Sequence, residues 1–380
     1  MFMYEARQEY FAQVAGGLEE LAARELESLG AFDVHPFPRG IDFRAERADM
    51  YRIVYRTRLL SRVLAPLTKF DVTNGEDLYL KAKQIDWTHL MTLDQTFRVF
   101  ANVSRSDIDN SHFAALKLKD VVADMFRKRY RGKRPNVDTV DPDLEISLHI
   151  RENVATISLD CGGGSLHRRG YRKKAVEAPM QETLAAAILD LAEWDGKEPI
   201  YDPMCGSGTL LSEAFIKASR LPAACLRKKF GFQMLPDHDR RVWVKVKLEE
   251  DNKVRRLSGN LIRGSDIDRK AVAMTRANNA RLPEGDELRV KTSDFNDLPE
   301  IKRGIIVCNP PYGIRLKPDE DMGAFMKSFG DFLKQKCTGC RAWIYLGDPE
   351  LVKKVGLKAQ RKFPLRNGGL DGRLVAYDLF

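Results

Sequence analysis

No uninterrupted apolar run in these 380 residues approaches the roughly 20 needed to cross a bilayer. The first residues, Met1-Phe2-Met3-Tyr4-Glu5, lack the basic-then-apolar pattern of an export signal. The expectation is a soluble, cytoplasmic protein with no membrane partner and no obligate protein partner. Cysteine is scarce: six residues, scattered, mostly in apolar or glycine-rich contexts. That usage argues against a disulfide framework and suits a reducing compartment. Cys337-Thr338-Gly339-Cys340 has metal-like spacing, but no second Cys or His pair accompanies it, so a turn is expected there and no metal. The six histidines form no cluster by spacing; His167 stands out only because it opens a basic segment. There is no internal repeat and no low-complexity tract.

What is present is an ordinary globular composition, 43% hydrophobic and 31% charged, with a net charge of +9. Its distribution is uneven. Residues 1–126 hold 16 Lys/Arg against 19 Asp/Glu, whereas residues 127–174 hold 12 against 6. Two clusters account for the shift: Arg127, Lys128, Arg129, Arg131, Lys133 and Arg134 around Tyr130, and Arg168, Arg169, Arg172 and Lys173 around Tyr171. Cations interleaved with tyrosine and glycine can neutralise phosphates while a ring stacks on a base, so these residues are the expected RNA contacts. The plainer alternative is two solvated surface segments.

A chain this long predicts two or three domains. Residues 1–65 alternate short strands and helices in a β-α-β-β-α-β order that fits a ferredoxin-like unit. In residues 66–165, Phe97, Val99, Ala101 and Val103 alternate with polar neighbours. Ser111 is placed to cap a helix whose stripe is Leu118, Val121, Val122, Met125 and Phe126. Leu144 to Ile150 and Ala155 to Leu159 alternate cleanly. The main boundary falls at Cys161-Gly162-Gly163-Gly164-Ser165, followed by a basic linker, 166–178. From Pro179 the pattern becomes strand–helix repeats, with seven candidate strands and a helical insert at about 219–258.

Chemistry concentrates at the ends of these strands. Asp202-Pro203-Met204-Cys205-Gly206-Ser207-Gly208-Thr209 joins a strand to an amphipathic helix. Glycines there let backbone approach a ligand, and the helix start offers free N–H groups to an anion. No Lys follows the glycines, and Leu211 occupies the place of a third Gly, so neither a P-loop nor a dinucleotide turn fits. Asp266, followed by Ile267, and Asp294, followed by Phe295, end the next two strands. These carboxylates suit ribose hydroxyls and an adenine amine, with Phe295 covering the ring; Asp268 is a helix cap. The fourth strand ends in Asn309-Pro310-Pro311-Tyr312-Gly313. The prolines hold the backbone extended, so the Asn309 amide oxygen and Pro310 carbonyl can face one amine. Two fixed acceptors return electron density to a conjugated exocyclic nitrogen and aim its lone pair at a sulfonium methyl. Tyr312 can stack on the base.

These motifs resemble the THUMP-domain guanine-N2 RNA methyltransferases, and most of all the single-module bacterial relatives of the 23S rRNA guanine-N2 methyltransferase L. The resemblance covers nearly the whole chain and includes Leu166 to Arg172, Glu177 to Met180 and Glu182 to Ala186. It implies an α/β chain: a class I, Rossmann-like, seven-stranded methyltransferase domain preceded by ferredoxin-like and THUMP α+β modules. It implies S-adenosylmethionine as cofactor, held by Met180, Thr183, Asp202, Pro203, Gly206, Gly208, Thr209, Asp266, Ile267, Asp294, Phe295 and Asn309. Asn309, Pro310 and Tyr312 are the implied catalytic residues, and RNA, of the large ribosomal subunit, is the implied partner. Relatives often carry Asn at Thr183 and Glu at Ile314, and the fused relatives carry a second methyltransferase domain for which there is no room here.

Competing readings remain at this point: a transfer-RNA guanine-N2 methyltransferase, an adenine-N6 methyltransferase acting on DNA or RNA, and a ribosome-assembly factor without turnover. A Cys308 nucleophile would signal base-carbon methylation instead.

Overall fold

A computed structural model describes residues 1–172, 180–311 and 321–380. Lys173 and Glu177 to Pro179 of the basic linker, and Tyr312, Gly313 and Ile314, lie outside the described residues.

The N-terminal half forms one sheet from β1 Glu9–Gln13, β2 Phe32–Phe37, β3 Gly40–Arg44, β4 Arg62–Asp71, β5 Thr96–Ser104, β6 Asn136–Val137, β7 Leu144–Arg151 and β8 Val154–Asp160. The strand order is β2-β3-β1-β4-β8-β7-β5-β6. The division expected at residue 65 falls inside β4. That strand pairs with β1 through Arg62–Leu64 and with β8 from Leu64 to Asp71, so both modules share it. Strict alternation drives the second module: Ala155, Ile157 and Leu159 point into a core closed by helix Ser111–Arg129 through Leu118, Val121, Val122 and Phe126. The cap of that helix is Asn110, not Ser111. The Asn110 side chain accepts from the Phe113 N–H, while the Ser111 hydroxyl accepts from Val103 at 3.1 Å.

The C-terminal half forms a seven-stranded sheet from β9 Ile200–Asp202, β10 Ile262–Asp266, β11 Arg289–Thr292, β12 Ile305–Cys308, β13 Arg341–Leu346, β14 Arg361–Asn367 and β15 Leu370–Asp378. The order is β11-β10-β9-β12-β13-β15-β14, parallel from β11 to β13, with β15 antiparallel to its neighbours. Continuous apolar runs such as Ile305-Ile306-Val307-Cys308, all buried, suit strands covered on both faces. The order reverses between β9 and β12, which puts the ligand crevice at their carboxyl ends.

The insert expected at about 219–258 contains a short turn, Gly231–Met234, and helix Arg240–Asp251; Ser219 still belongs to the preceding helix, Thr209–Ser219. It seams the two halves together. Tyr51 packs on Phe232 with ring centroids 4.5 Å apart, and Tyr55 meets Trp243 edge-on at 5.2 Å. The Tyr4 hydroxyl donates to Asp237 at 2.9 Å and the Tyr55 hydroxyl to Asp251 at 2.7 Å. Arg52 binds the buried Glu250 at 2.9 Å.

Candidate active site

The site is built where β9, β10, β11 and β12 end side by side. Asp202 closes β9, Asp266 closes β10, Asp294 follows β11 and Asn309 follows β12. The glycine turn after β9 is stretched across the β10 tip: the Cys205 N–H donates to the Ser265 carbonyl at 2.9 Å and the Gly206 N–H to the Asp266 carboxylate at 2.8 Å. Asp266 also accepts from the Asp268 N–H at 2.9 Å, and Asp268 caps helix Arg269–Asn279 as expected.

The two glycines do different work. Gly208 has φ +82°, and a Cβ there would lie 2.6 Å from Thr275 Cγ2, so the turn can pack on helix Arg269–Asn279 only without a side chain. Gly206 has φ +56° and nothing within 4 Å of where its Cβ would be, which leaves its side of the turn open to a ligand. Two residues that sequence reasoning passed over brace the turn from behind. Thr275 donates to the Gly206 carbonyl at 2.8 Å and Asn278 to the Ser207 carbonyl at 3.1 Å. The signal was available: Thr275, Asn278 and Asn279 are polar yet repeat at helical spacing on the buried face.

Asp202 is buried and accepts from the Met204 N–H at 3.1 Å. Burial pushes its carboxyl up to about 8, with the neighbouring Asp266 charge adding to the rise. Cys308 is fully buried, and burial first, then the Asp202 and Asp266 charges, pushes its thiol well above the ordinary range. Both effects disfavour the thiolate, the form in which a cysteine acts as a nucleophile. Cys205 is raised by the same causes.

Asn309 carries the feature that matters most. Its amide oxygen is buried and has no hydrogen-bond partner among the described residues. Such an orphan acceptor costs about 1–3 kcal/mol in the folded protein, and a donor arriving from a ligand would recover it. Pro310 beside it is buried.

Other expected site residues fall differently. Asp294 caps the turn Phe295–Asp297 by accepting from the Asn296 N–H at 2.8 Å. Phe295 is not a free cover for an adenine ring. It is 6% exposed and packs edge-on against Phe325, Phe329 and Phe332 in the core under the sheet. The exposed apolar side chain at these tips is Ile267, at 69%. Met180, Thr183, Pro203 and Thr209 are all buried around the start of helix Thr209–Ser219.

The basic clusters separate. Arg127, Lys128, Arg129, Arg131, Lys133 and Arg134 are exposed at and beyond the end of helix Ser111–Arg129. Tyr130, expected to stack on a base, instead stacks on Phe126 at 5.6 Å. In the second cluster Arg168 is exposed, but Arg169 is 2% exposed and cannot reach RNA. Its guanidinium satisfies the Leu166 carbonyl at 2.7 Å and the Arg58 carbonyl, and pairs with the buried Glu213 at 3.4 Å. Tyr171 is buried beside it and donates to the same Glu213 at 3.1 Å. Arg172 turns inward to Thr209 and Met180. His167 is held by Ser165 at 2.6 Å, and burial, then the surrounding arginines, depress its imidazole to about 4. Cys340 is a buried thiol donating to the Ile301 carbonyl at 3.0 Å.

A cavity of about 650 Å³ opens elsewhere, beneath the edge strand β11, lined by Tyr201, Arg263, Arg289, Lys291, Leu298 and Ile301 among others. None of the strand-tip residues lines it.

Comparison with known proteins accords with this geometry. Residues 169–376 match the RMKL-like methyltransferase domain, residues 72–160 the THUMP domain and residues 9–64 the RlmL ferredoxin-like domain. The chain is 38% identical over 372 residues to a Synechocystis protein named as an RNA methyltransferase, covering 98% of this chain and 97% of that one. It is 38% identical over 384 residues to the ribosomal RNA large subunit methyltransferase K/L of Syntrophotalea carbinolica, and there it spans about half of the relative, 53%. A crystal structure of a protein named as a methyltransferase, solved with S-adenosylhomocysteine, superposes with a TM-score of 0.84 at 25% identity over 98% of both chains. The C-terminal half is therefore a class I methyltransferase domain that uses S-adenosylmethionine. The chain as a whole belongs to the THUMP-domain RNA methyltransferase family.

Proposed function

We propose that this protein methylates the exocyclic N2 amine of a guanine in RNA, within the large ribosomal subunit. The observation that carries the amine chemistry is the buried, unpartnered amide oxygen of Asn309. It stands beside a proline-fixed backbone, on the strand next to the glycine turn. When bound, S-adenosylmethionine supplies an electrophilic methyl group on a sulfonium. Asn309 and the Pro310 carbonyl accept the two amine hydrogens, which restores lone-pair density to a nitrogen otherwise conjugated with its ring. They also orient that lone pair for in-line attack. Asn309 and Pro310 would hold the amine nitrogen in line with that methyl group for its transfer from sulfur, and the surplus amine proton would pass to water. Asp266 and Asp294 would hold the ribose and adenine, Ile267 would offer the adenine an apolar face, and the open side of Gly206 would admit the cofactor closely. The stacking role expected of Tyr312 falls outside the described residues.

The RNA reading is supported by the THUMP match, by the exposed cations from Arg127 to Arg134, and by relatives named for RNA and for large-subunit rRNA. The clamp from Asn309 to Tyr312 suits any planar exocyclic amine, and the choice of guanine N2 rests on the family resemblance of the chain as a whole. The test is methyl transfer from labelled S-adenosylmethionine to rRNA and tRNA isolated from a strain lacking the gene, followed by nucleoside mass analysis. N2-methylguanosine in 23S rRNA is expected. Label on adenine, or on tRNA alone, would overturn the assignment.

A further inference from the structure

Arg172 belongs by sequence to a cluster expected to contact RNA, yet its side chain is turned into the methyltransferase domain and is 17% exposed. One guanidinium nitrogen donates to the Thr209 hydroxyl at 2.9 Å and to the Met180 carbonyl at 2.8 Å. Thr209 is the first residue of helix Thr209–Ser219, immediately after the glycine turn. The cation therefore sits at the end of an 11-residue helix whose first N–H groups have no partner within the helix.

Among the described residues its charge is paired with one carboxylate, Glu182, at 3.6 Å, beyond hydrogen-bond length. Burial pushes Glu182 up, toward its neutral form, although Arg172 pulls the other way. The Arg172 Nε is buried and has no partner among the described residues. A partly desolvated guanidinium with donors to spare, at a helix start beside an open glycine, is arranged for an anion. The cofactor used by this domain carries two positive groups, the sulfonium and the ammonium, and a single anion, its α-carboxylate. An arginine in such a site is unfavourable unless it meets that carboxylate.

We infer that Arg172 binds the α-carboxylate of S-adenosylmethionine, together with the N–H groups at the start of helix Thr209–Ser219. Arg172 is thus a cofactor-selecting residue, and the Thr209 hydroxyl and Met180 carbonyl hold its fork in place.

Calorimetry with S-adenosylmethionine and its decarboxylated analogue tests this, because the two ligands differ only at the carboxylate. Wild-type protein should prefer the carboxylated ligand. Arg172→Gln should weaken S-adenosylmethionine binding about 10- to 100-fold, leave the decarboxylated analogue within about threefold, and so erase the preference. Arg172→Lys, which keeps a cation there, should retain part of it. RNA affinity by filter binding should be unchanged in both variants. Equal losses for the two ligands would make Arg172 a packing residue and overturn the inference. So would a fall in RNA affinity with the ligand preference intact. Should Arg172→Gln fail to fold, the same comparison is read from wild type and Arg172→Lys, and a wild type without preference overturns it. A wild type that binds neither ligand would instead count against the cofactor assignment itself.

Discussion

The backbone N–H of Gly206 donates to the side chain of Asp266 at 2.8 Å, which ties the glycine turn after one strand to the tip of the next. Asp266 thereby shapes the turn and also presents a carboxylate at the crevice. Asp266→Ala should weaken S-adenosylhomocysteine binding by at least about tenfold, since it removes both a charged acceptor and the turn's anchor. Calorimetry measures it. Binding within twofold of wild type would show that the turn holds its shape without Asp266.

Asn309 makes an opposite pair of demands. Its amide oxygen has no hydrogen-bond partner among the described residues, and in the proposed reaction it would gain one. Asn309→Ala should lower turnover by about 100- to 1000-fold with little change in cofactor affinity. The unfolding free energy should hold or rise by about 1 kcal/mol, because the unsatisfied oxygen is gone. Turnover assays and urea denaturation on the same preparation check both halves. A fall in stability larger than about 2 kcal/mol would show that the amide is structural.

Asp202 should make stability pH-dependent with an unusual sign. In the unfolded chain its carboxyl titrates near the ordinary value of 3.8, whereas in the folded protein it is pushed up to about 8. Between those values the folded state holds the extra proton, so this residue's contribution to stability falls as pH rises, and levels off above about pH 8. Asp202→Asn cannot ionise. In melting experiments across that interval, the variant should gain on wild type steadily as pH increases. A constant gap would show that Asp202 is already ionised at low pH. Cationic S-adenosylmethionine should favour the ionised carboxyl and release protons near neutrality. Calorimetry in two buffers of different ionisation enthalpy would register that release.

Arg169 and Arg131 should separate cleanly, although both lie in arginine-rich stretches. Arg169→Ala takes the paired cation from the buried Glu213, leaving it the Tyr171 hydroxyl, and should cost about 3–5 kcal/mol of stability. Arg131→Ala, at an exposed position, should leave stability within about 0.5 kcal/mol. It should weaken RNA binding and reduce the slope of log affinity against log salt by about one. Denaturation curves and salt-dependent filter binding give the two readings. An unchanged salt slope would remove Arg131 from the RNA face.

What could be read from the sequence was what local chemistry dictates. A glycine turn after an apolar strand, acidic tips on the following strands and a proline-locked Asn309 announce themselves, because each needs only neighbouring residues. The alternation of Ala155, Ile157 and Leu159 gave the inner face of β8 for the same reason. Apart from the cap at Asn110 and the stacking of Tyr130 on Phe126, which are local, the misreadings were matters of long-range contact. Nothing near Arg169 distinguishes it from Arg168. Its burial depends on Glu213, 44 residues away. Phe295 is adjacent to a crevice residue but is claimed by Phe325, Phe329 and Phe332 from another helix. The span of β4 across two modules could not be seen, because its two partners, β1 and β8, come from opposite ends of that half of the chain.

That shared strand, with the aromatic seam of Tyr51, Phe232 and Trp243, joins the part of the chain that carries the cationic helix end to the domain that carries Asn309. If RNA docks on Arg127 to Arg134, as proposed, the span from those cations to Asn309 would act as a ruler, and distance along a folded surface, rather than the letters around the base, would set the target.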